Sequence, residues 1–384
     1  MRVTDMPVVV LSANIAWNII NFRMGLVRAL QERGIEVVVL AGADETVASL
    51  REHGVRVEAL PIASRGVNPF GELLLFAAYL RRLRALTRRA RVLAYLGFTI
   101  KPNIYGSVAA RICGVPVIAN IAGLGALFSR PGARRTAALA FYRFALRGVR
   151  RVYFQNGSDR LLFLSRRVVD RRRSALIPGS GVDLDRFNGA LAADGFPGEP
   201  GRRRFVLIAR LLWEKGIDEY VRAARSVRER YPDARFALVG FSDGGGRAAV
   251  PARRIAGWVS EGVIAYLGRA ADVRPAILGA DCIVLPSTYR EGTPRVLLEA
   301  AAMSRPVVTT DTPGCRDAVL PGESGYLCRP GDAGSLAERI IEVLELPADR
   351  LREMGRAGRR HVERRFDERL VVGAYLREIE ELGG

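Results

Sequence analysis

The sequence predicts an α/β protein made of two doubly wound domains, each with a parallel sheet covered by helices on both faces. Short apolar runs alternate with segments of helical apolar spacing along the chain, which is the pattern of stacked βαβ units. The alternation stops at residues 194–201 (DGFPGEPG), where three glycines and two prolines can continue neither a helix nor a strand. With 384 residues, the chain is long enough to form a core on each side of this linker.

The first domain is predicted to cover residues 1–195. Residues 7–11 form an uninterrupted apolar run, which is typical of a buried strand. Residues 23–34 place Leu26, Val27 and Leu30 on one helical face and end at a glycine. The same two patterns predict strand 37–40, helix 47–54, helix 72–89, strand 92–95, helix 104–114 and strand 115–120.

The second domain is predicted to cover residues 196–365, and a C-terminal helix at 366–384 is expected to pack back on the first domain. The predicted elements are strand 205–209, helix 218–231, strands 236–240 and 263–267, helix 273–279, strand 282–286, helix 294–304, strand 307–310 and a helical tail over 335–382. Because ligands of such sheets bind at the carboxyl ends of the strands, we expect two Rossmann-like domains that face each other across a cleft.

The composition excludes several classes of protein. With 49% hydrophobic and 26% charged residues, the chain is too apolar to be disordered. Its four cysteines form no C-x-x-C pair and its two histidines cannot build a His-rich metal centre, so we expect neither a disulfide framework nor a zinc site. The cysteine usage favours a reducing, cytoplasmic setting. We expect no targeting segment and no membrane span, because the uncharged stretch 112–129 is interrupted by glycines and a proline.

The net charge is concentrated in the first half of the chain. Lys and Arg exceed Asp and Glu by 59 − 40 = 19 overall, by 29 − 13 = 16 in residues 1–195 and by 30 − 27 = 3 in the rest. Such asymmetry indicates a polyanionic partner: nucleic acid, an anionic membrane surface or a phosphorylated substrate. The alternative is an arginine-rich surface that is merely well solvated. Only Lys101 and Lys215 are lysines.

The segment 287–304 (STYREGTPRVLLEAAAMS) carries the strongest functional signal. It follows a buried strand, and Thr293 and Pro294 are expected to cap and begin a helix whose N-terminus can bind phosphate, with Gly292 allowing close approach. Glu291 lies in the loop, and Glu299 lies about 7–8 Å along the helix from Pro294. Two carboxylates so placed could hold hydroxyls at the sugar and ribose ends of a nucleotide-sugar. Arg295 and Gly240 complete the predicted donor-binding set.

The spacing of Glu291 and Glu299 within EGTPRVLLEA, followed by RPVVTTDTPGCRDAV, resembles the E-x7-E signature of glycosyltransferase family 4. Residues 208–216 (IARLLWEKG) resemble the segment of that family that binds the donor diphosphate, which maps to Arg210 and Lys215. Residues 178–187 (PGSGVDLDRF) resemble its segment before the linker. The resemblance covers most of the chain and implies a retaining enzyme of the GT-B fold with no metal and no other cofactor.

Three first-half segments, at 14–23, 99–107 and 120–125, follow predicted strands and resemble the family branch that extends sugars on polyprenyl-diphosphate carriers. N-acetylgalactosaminyltransferases of bacterial glycan assembly are examples of that branch. The expected acceptor-binding residues are Asn21, Lys101, Asn103, Asn120 and Gly123. The chain departs from the many family members that carry a histidine near the reacting sugar, since no histidine lies in a matching loop.

Taken together, the sequence and its resemblance predict a retaining glycosyltransferase that moves a hexose or N-acetylhexosamine from a nucleotide diphosphate to a lipid-linked sugar in polysaccharide biosynthesis. We expect the nucleotide to be UDP. We expect catalytic roles for Glu291, Arg210 and Lys215, and a peripheral location on the cytoplasmic face of the inner membrane. Same-face substitution needs fewer residues than double displacement, and inverting chemistry on the same fold stays open.

Three alternatives to this reading also stay open. One is a transferase of the same fold with a soluble acceptor, and another is a sugar-nucleotide epimerase. The third, a nucleic-acid-binding protein, is disfavoured because the sequence contains no RNA-binding aromatic motif, zinc finger or helix-turn-helix signature. Asp183 and Asp185 resemble a D-x-D metal motif but stand in the GVDLDRF segment, where we expect Asp185 to start a helix.

Overall fold

The computed structural model describes residues 4–62, 68–125, 128, 132–189, 202–242, 246 and 248–383. The chain divides into two compact units, one of residues 1–181 and 368–384 and one of residues 182–367. The boundary therefore precedes the expected one at 195/196. Residues 182–189 belong to the second unit, where the Val182 N–H donates to the Phe366 carbonyl at 2.8 Å. The predicted linker, 194–201, lies outside the described residues.

The first unit contains one parallel sheet. Its strands are β1 (Thr4–Ile15), β2 (Glu36–Gly42), β3 (Arg56–Ala59), β4 (Ala90–Gly97), β5 (Val117–Ile121), β6 (Arg151–Phe154) and β7 (Ser174–Leu176), in the order β3-β2-β1-β4-β5-β6-β7. Its helices are α1 (Ala16–Phe22), α2 (Met24–Gln31), α3 (Val47–Glu52), α4 (Pro69–Thr87), α5 (Ser107–Ile112), α6 (Ala133–Ala145) and α7 (Gly157–Ser165). A π-helical turn, Pro102–Gly106, leads into α5, and a 3-10 turn spans Arg171–Arg173.

The second unit contains the other parallel sheet. Its strands are β8 (Arg204–Ile208), β9 (Arg235–Val239), β10 (Ala265–Tyr266), β11 (Cys282–Leu285), β12 (Val307–Thr310) and β13 (Gly325–Cys328), in the order β10-β9-β8-β11-β12-β13. Its helices are α8 (Ile217–Arg230), α9 (Ala252–Ser260), α10 (Arg274–Leu278), α11 (Arg295–Ala302), α12 (Ala333–Glu345) and α13 (Ala348–Arg365), with 3-10 turns at Trp213–Lys215 and Arg316–Ala318.

Each sheet has a hydrophobic core on both faces. In the first unit one face packs against α4 to α7, through residues such as Tyr79 and Phe163, and the other packs against α1 to α3. In the second unit one face packs against α8, α9 and α12, and the other against α10, α11 and α13. This two-sided burial explains why the strands read as apolar runs, and it confirms the predicted doubly wound α/β class.

The helical tail predicted over 335–382 is three helices rather than one. It breaks at Pro347 and again at Phe366 and Asp367, before α14 (Glu368–Gly383). Helix α14 belongs to the first unit, where Tyr375 packs edge-on against Phe98 at 5.9 Å between ring centroids. None of the described helices combines the length and low charge that a membrane span requires.

Candidate active site

Three loops of the second unit meet at the carboxyl edge of its sheet. They follow β8 (209–216), β11 (286–294) and β12 (311–314). Their close packing depends on glycines with positive φ. A Cβ on Gly216 (φ +74°) would lie 2.0 Å from the Pro286 carbonyl oxygen, and one on Gly314 (φ +86°) would lie 1.4 Å from that of Gly292. Only glycine therefore allows this three-loop cluster.

The cluster holds a lysine against a glutamate. Lys215, which ends the 3-10 turn after β8, forms an ion pair with Glu291 in the loop after β11. The Ser287 hydroxyl donates to the same Glu291 oxygen, Oε1, at 2.9 Å. Lys215 Nζ also donates to the Tyr289 hydroxyl at 3.1 Å and lies 4.8 Å from the centroid of that ring. The Lys215 and Glu291 side chains are only 11% and 10% exposed, so the pair is almost fully desolvated.

Burial and charge act in opposite directions on Lys215. Desolvation by burial lowers its pKa, but the Glu291 carboxylate and the Tyr289 hydroxyl together raise the pKa above its ordinary value. Burial and the Glu291 charge also raise the pKa of Tyr289 to about 12. At neutral pH the cluster therefore presents a protonated ammonium beside a neutral phenol, a cation oriented before any ligand arrives.

Helix α11 begins one residue later than the sequence predicted. Pro294 adopts extended backbone (ψ 119°) and occupies the N-cap position without a side-chain cap, so Arg295 is the first helical residue. The expected cap, Thr293, is buried ahead of the helix. The assignment of Thr293 as the cap is therefore wrong. The proline supplies the turn into the helix, and Gly292 and Thr293 are buried in the loop before it.

Glu299 does not lie open on the surface of α11. Its Oε1 atom forms an ion pair with Arg295 Nε, 2.9 Å away and one helical turn earlier, and the Glu299 and Arg295 side chains are 12% and 13% exposed. Burial raises the pKa of Glu299, and the Arg295 charge acts against that rise. Two predicted donor-site residues thus contact each other, and Arg295 fixes the position of the Glu299 carboxylate.

Gly240 shapes the backbone that carries Arg210. It follows β9, and a Cβ at this position would lie 1.8 Å from the Ala209 carbonyl oxygen. Its N–H donates to Gly268 at 2.8 Å. Arg210 is the next residue after Ala209 and is exposed. Gly240 therefore sets the exit of β8 by close approach, while Arg210 presents its guanidinium at the surface.

Of the predicted acceptor-binding residues, Asn21, Lys101 and Gly123 are partly buried, whereas Asn103 and Asn120 are fully buried. Gly123 (φ +112°) is partly buried in the loop after β5, and Asn21 donates to the Trp17 carbonyl at 2.9 Å within α1. The segment 14–23 thus comprises the end of β1 and helix α1. Lys101 pairs with Glu72 at 2.7 Å.

Asn103 and Asn120 are buried and tie the first unit together. Asn103 Nδ2 donates to the Asn120 carbonyl at 2.8 Å, and Asn120 Nδ2 donates to the Tyr375 hydroxyl of α14 at 2.5 Å. Their exposed fractions are 1% and 0%. These amides can influence an acceptor only by positioning the backbone around them, because their own polar atoms are enclosed.

Comparisons with known proteins agree with this architecture. A family model described as a glycosyl transferase 4-like domain matches residues 20–179, and one described as glycosyl transferases group 1 matches residues 202–346. A GDP-mannose-dependent alpha-(1-6)-phosphatidylinositol monomannoside mannosyltransferase of Mycolicibacterium smegmatis is 32% identical over 276 residues, covering 63% of this chain and 69% of the relative. The chain is a glycosyltransferase of this family.

Other relatives of this glycosyltransferase cover nearly the whole chain. The N,N'-diacetylbacillosaminyl-diphospho-undecaprenol alpha-1,3-N-acetylgalactosaminyltransferase of Campylobacter jejuni is 27% identical over 381 residues, 94% of this chain and 95% of the relative. The fold resembles crystal structures of a Rickettsia africae glycosyltransferase (TM-score 0.78, 17% identity, 98% of each chain) and of Anabaena HepE with UDP (TM-score 0.76, 18% identity, 98% of this chain and all of that one). The GT-B expectation is confirmed.

The D-x-D sequence of this glycosyltransferase forms a local turn. Asp183 Oδ1 accepts hydrogen bonds from the N–H groups of Asp185 and Arg186 at 3.1 and 2.9 Å. Residues 184–186 form a turn, so the helix that was expected to start at Asp185 does not start there. Across the described parts of the chain, no three His, Cys, Asp or Glu side chains group as a metal site would require.

Sequence reasoning assigned no role to Ser287, Tyr289 or Gly314. Ser287 and Tyr289 stand four and two residues before Glu291, and they contact Glu291 and Lys215 respectively. Gly314 lies in the PGCRD segment that carried the family resemblance, where its backbone packs on Gly292. A signal was available for Ser287 and Tyr289, since polar residues between a buried strand and a candidate carboxylate are placed to contact it.

Proposed function

We propose that this glycosyltransferase moves a hexose or N-acetylhexosamine from a nucleotide diphosphate to a lipid-linked sugar, that the nucleotide is UDP, and that the reaction proceeds with retention. The observation that carries the donor side is the buried Lys215–Glu291 pair within the three-loop cluster. The acceptor class is supported by the Campylobacter relative, which is named for an undecaprenol-diphosphate-linked acceptor and transfers N-acetylgalactosamine. The choice of UDP is supported by the Anabaena structure, which holds UDP.

The leaving diphosphate gains negative charge as the glycosidic bond breaks. Lys215, protonated and fixed by Glu291, would stabilise that charge from a position set in advance, and Arg210 would add a second cation from the exit of β8. The N–H groups at the start of α11 would also stabilise the negative charge on the leaving diphosphate. Glu291 would hold sugar hydroxyls, and Glu299, held by Arg295, would accept from the ribose.

The contacts of Glu291 favour substitution on one face of the sugar over double displacement. Glu291 Oε1 already accepts from Lys215 and from Ser287, which lowers the nucleophilicity of the carboxylate. In the proposed step the acceptor oxygen bonds to the anomeric carbon as the bond from that carbon to the diphosphate oxygen breaks. The acceptor proton passes to the leaving diphosphate, so the reaction needs neither a protein nucleophile nor a protein base.

An apolar stripe on α4 supports a membrane-bound acceptor. Phe70, Leu73 and Leu74 are 68%, 63% and 50% exposed, whereas Leu75 and Tyr79 of the same helix are buried in the core. Three apolar side chains of this part of the helix therefore face outward instead of packing into the core. Exposed apolar residues beside cationic ones are typical of a surface that lies on a bilayer without crossing it.

The basic end of α4 continues this stripe. Arg81 follows Leu74 by seven residues, which is two helical turns, so both lie on one side of the helix, and Arg84 is one turn further on. Both arginines are exposed, while Arg82 between them lies 3.5 Å from Glu58. A basic residue near an anionic leaflet contributes about 1 kcal/mol to binding. We therefore propose that α4 places the first unit on a membrane that carries the acceptor.

A donor screen scored by nucleotide release tests the proposal. The full chain is offered UDP- and GDP-sugars with and without a lipid-linked sugar acceptor, and Lys215→Ala serves as the inactive control. Release that requires both a nucleotide-sugar and the lipid-linked acceptor supports the proposal. Turnover of the nucleotide-sugar without the lipid would favour a soluble acceptor or an epimerase.

A further inference from the structure

A second lysine–glutamate pair lies in the first unit. Glu72, in the first turn of α4, is 9% exposed, and its Oε1 atom lies 2.7 Å from Lys101 Nζ. The other carboxylate oxygen, Oε2, is enclosed by the protein. Tyr105, four residues after Lys101 in the π-helical turn, is close enough for burial and the Glu72 charge to raise its pKa. Such π-helical turns are frequent at functional sites.

This arrangement repeats the one in the donor site. Each of the only two lysines of the chain contacts a buried glutamate and lies near a tyrosine, although the other 59 − 2 = 57 basic residues are arginines. A lysine held by a glutamate is also the device by which protein kinases aim an ammonium at nucleotide phosphates. The ammonium has three donors, and Glu72 takes one of those on Lys101. The Lys101 side chain is 15% exposed, so a ligand can reach it from one side.

Exposed apolar side chains flank both members of the pair along the chain. Phe70 and Leu73 stand on either side of Glu72 in the sequence and are 68% and 63% exposed, and Ile100, next to Lys101, is 44% exposed. A cation set within apolar surface matches a ligand with a charged head and an apolar chain. A prenyl diphosphate has that chemistry, whereas a soluble sugar phosphate lacks the apolar part.

We propose that Lys101, oriented by Glu72, binds the diphosphate of a prenyl-diphosphate-linked acceptor, and that the apolar residues beside it contact the first isoprene units. This rests on the proposed function, for which it names the group of the acceptor that the enzyme recognises. Lys101 is the binding residue and Glu72 is a positioning residue. The competing view is that the pair only fastens α4 to the π-helical turn.

Equilibrium binding of farnesyl diphosphate to the full chain tests the site. With the donor site saturated by UDP, any further diphosphate binding reports a second site. Lys101→Met should weaken farnesyl diphosphate binding about tenfold or more, the effect of losing a charge-assisted hydrogen bond, and leave UDP binding unchanged. Lys215→Met, measured without UDP saturation, is the matched control. It should weaken UDP binding and leave the farnesyl diphosphate binding that depends on Lys101 unchanged. Wild-type affinity of Lys101→Met for farnesyl diphosphate would overturn the proposal.

A second set of probes identifies the ligand. Inorganic pyrophosphate should bind more weakly than farnesyl diphosphate, and farnesol more weakly still, because each lacks one half of the ligand. If phosphatidylglycerol vesicles displace farnesyl diphosphate as well as unlabelled farnesyl diphosphate does, the site reads lipid headgroups in general and the proposal fails.

Glu72→Gln tests positioning, because it keeps the side-chain shape and removes the charge. We expect the KM for a lipid-linked acceptor to rise several-fold while kcat and the KM for the nucleotide-sugar stay near wild type. A purely structural pair would instead lower Tm and leave farnesyl diphosphate affinity unchanged, and that result would overturn the proposal.

The outcomes separate this site from the proposed function. If no nucleotide-sugar is turned over and farnesyl diphosphate binding still depends on Lys101, the proposed function fails and the site stands. If Lys101→Met transfers sugar to a lipid-linked acceptor with wild-type KM, the site fails and the proposed function stands.

Discussion

Replacing Lys215 separates what the Lys215–Glu291 pair does for stability from what it does for catalysis. Both side chains are about nine-tenths buried, so Lys215→Met leaves a buried carboxylate without its counter-charge. Breaking a buried ion pair in this way costs about 3–5 kcal/mol. In a domain of this size each kcal/mol shifts Tm by about 2–4 °C, so the Tm of the second unit should fall by roughly 6–20 °C.

The double variant Lys215→Met/Glu291→Gln removes both charges and should recover most of this loss, because no uncompensated charge remains. Activity should not recover with it. Losing one preorganised electrostatic group costs roughly 3–4 kcal/mol of transition-state stabilisation, which lowers kcat/KM by about 10² or more. Lys215→Arg should also stay below wild type, since a planar guanidinium cannot replace a compact ammonium between one carboxylate oxygen and one hydroxyl.

Calorimetry and steady-state nucleotide release measure the two effects on the same samples. Arg230→Gln is the matched control, because it removes a charge from an exposed ion pair with Glu345 in the same unit, where the two side chains are 66% and 50% exposed. Exposed pairs contribute little, so both quantities should stay near wild type in this control. Wild-type kcat/KM in the double variant would refute the catalytic role and leave the pair a purely structural one.

Four further predictions test other parts of the proposal. Glu299→Gln should weaken UDP binding about tenfold in calorimetric titration through lost ribose contacts, and an unchanged affinity would contradict its donor role. Activity should survive a chelator in the nucleotide-release assay, and complete loss of activity would contradict a metal-independent reaction and favour metal binding by Asp183 and Asp185. The chain should float with anionic vesicles at low salt and less so with raised salt or as Arg81→Glu/Arg84→Glu, and retention of wild type in the soluble fraction would remove the membrane proposal. Burial lowers the pKa of His361 below its ordinary value, so the stability held by the neutral ring is present above the unfolded pKa of about 6.5 and is lost as the pH falls toward the folded one. Tm should therefore fall less on acidification in His361→Gln than in wild type, and equal falls would contradict this.

The sequence predicted the central strands of both sheets better than their edges. Strands such as β11 (Cys282–Leu285) are buried on both faces and therefore appear as continuous apolar runs. The edge strand β3 (Arg56–Ala59) shows no such run because its ends are exposed, and it was missed. At one edge of the second unit's sheet, β10 (Ala265–Tyr266) covers two of the five residues predicted, since both of its side chains are exposed and only pairing with β9 defines it.

For the candidate site, motif spacing predicted residues but could not predict their partners. Lys215 and Glu291 are 76 positions apart, so their pairing depends on how the loops after β8 and β11 pack, which no local pattern encodes. Local sequence was also insufficient for Asn103 and Asn120, which were predicted to bind the acceptor and are buried in the first unit. A polar residue at the end of a strand can face a ligand or fasten a distant segment, and Asn120 fastens Tyr375, 255 positions away. Local sequence cannot distinguish these two cases, because both require the same residue type at the same place.

The choice between lysine and arginine carries information that neither motif nor spacing supplies. A guanidinium has five donors in a fixed plane, and the buried Arg203 illustrates the cost, since its Nε and Nη1 atoms are enclosed and have no hydrogen-bond partner among the described residues. An ammonium has three donors that rotate to fit. A carboxylate oxygen and a tyrosine hydroxyl satisfy two donors on Lys215 and leave the third for a ligand. In a chain with 57 arginines, a lysine at such a position therefore indicates a site that must hold a cation firmly and still leave one of its hydrogen-bond donors for a ligand.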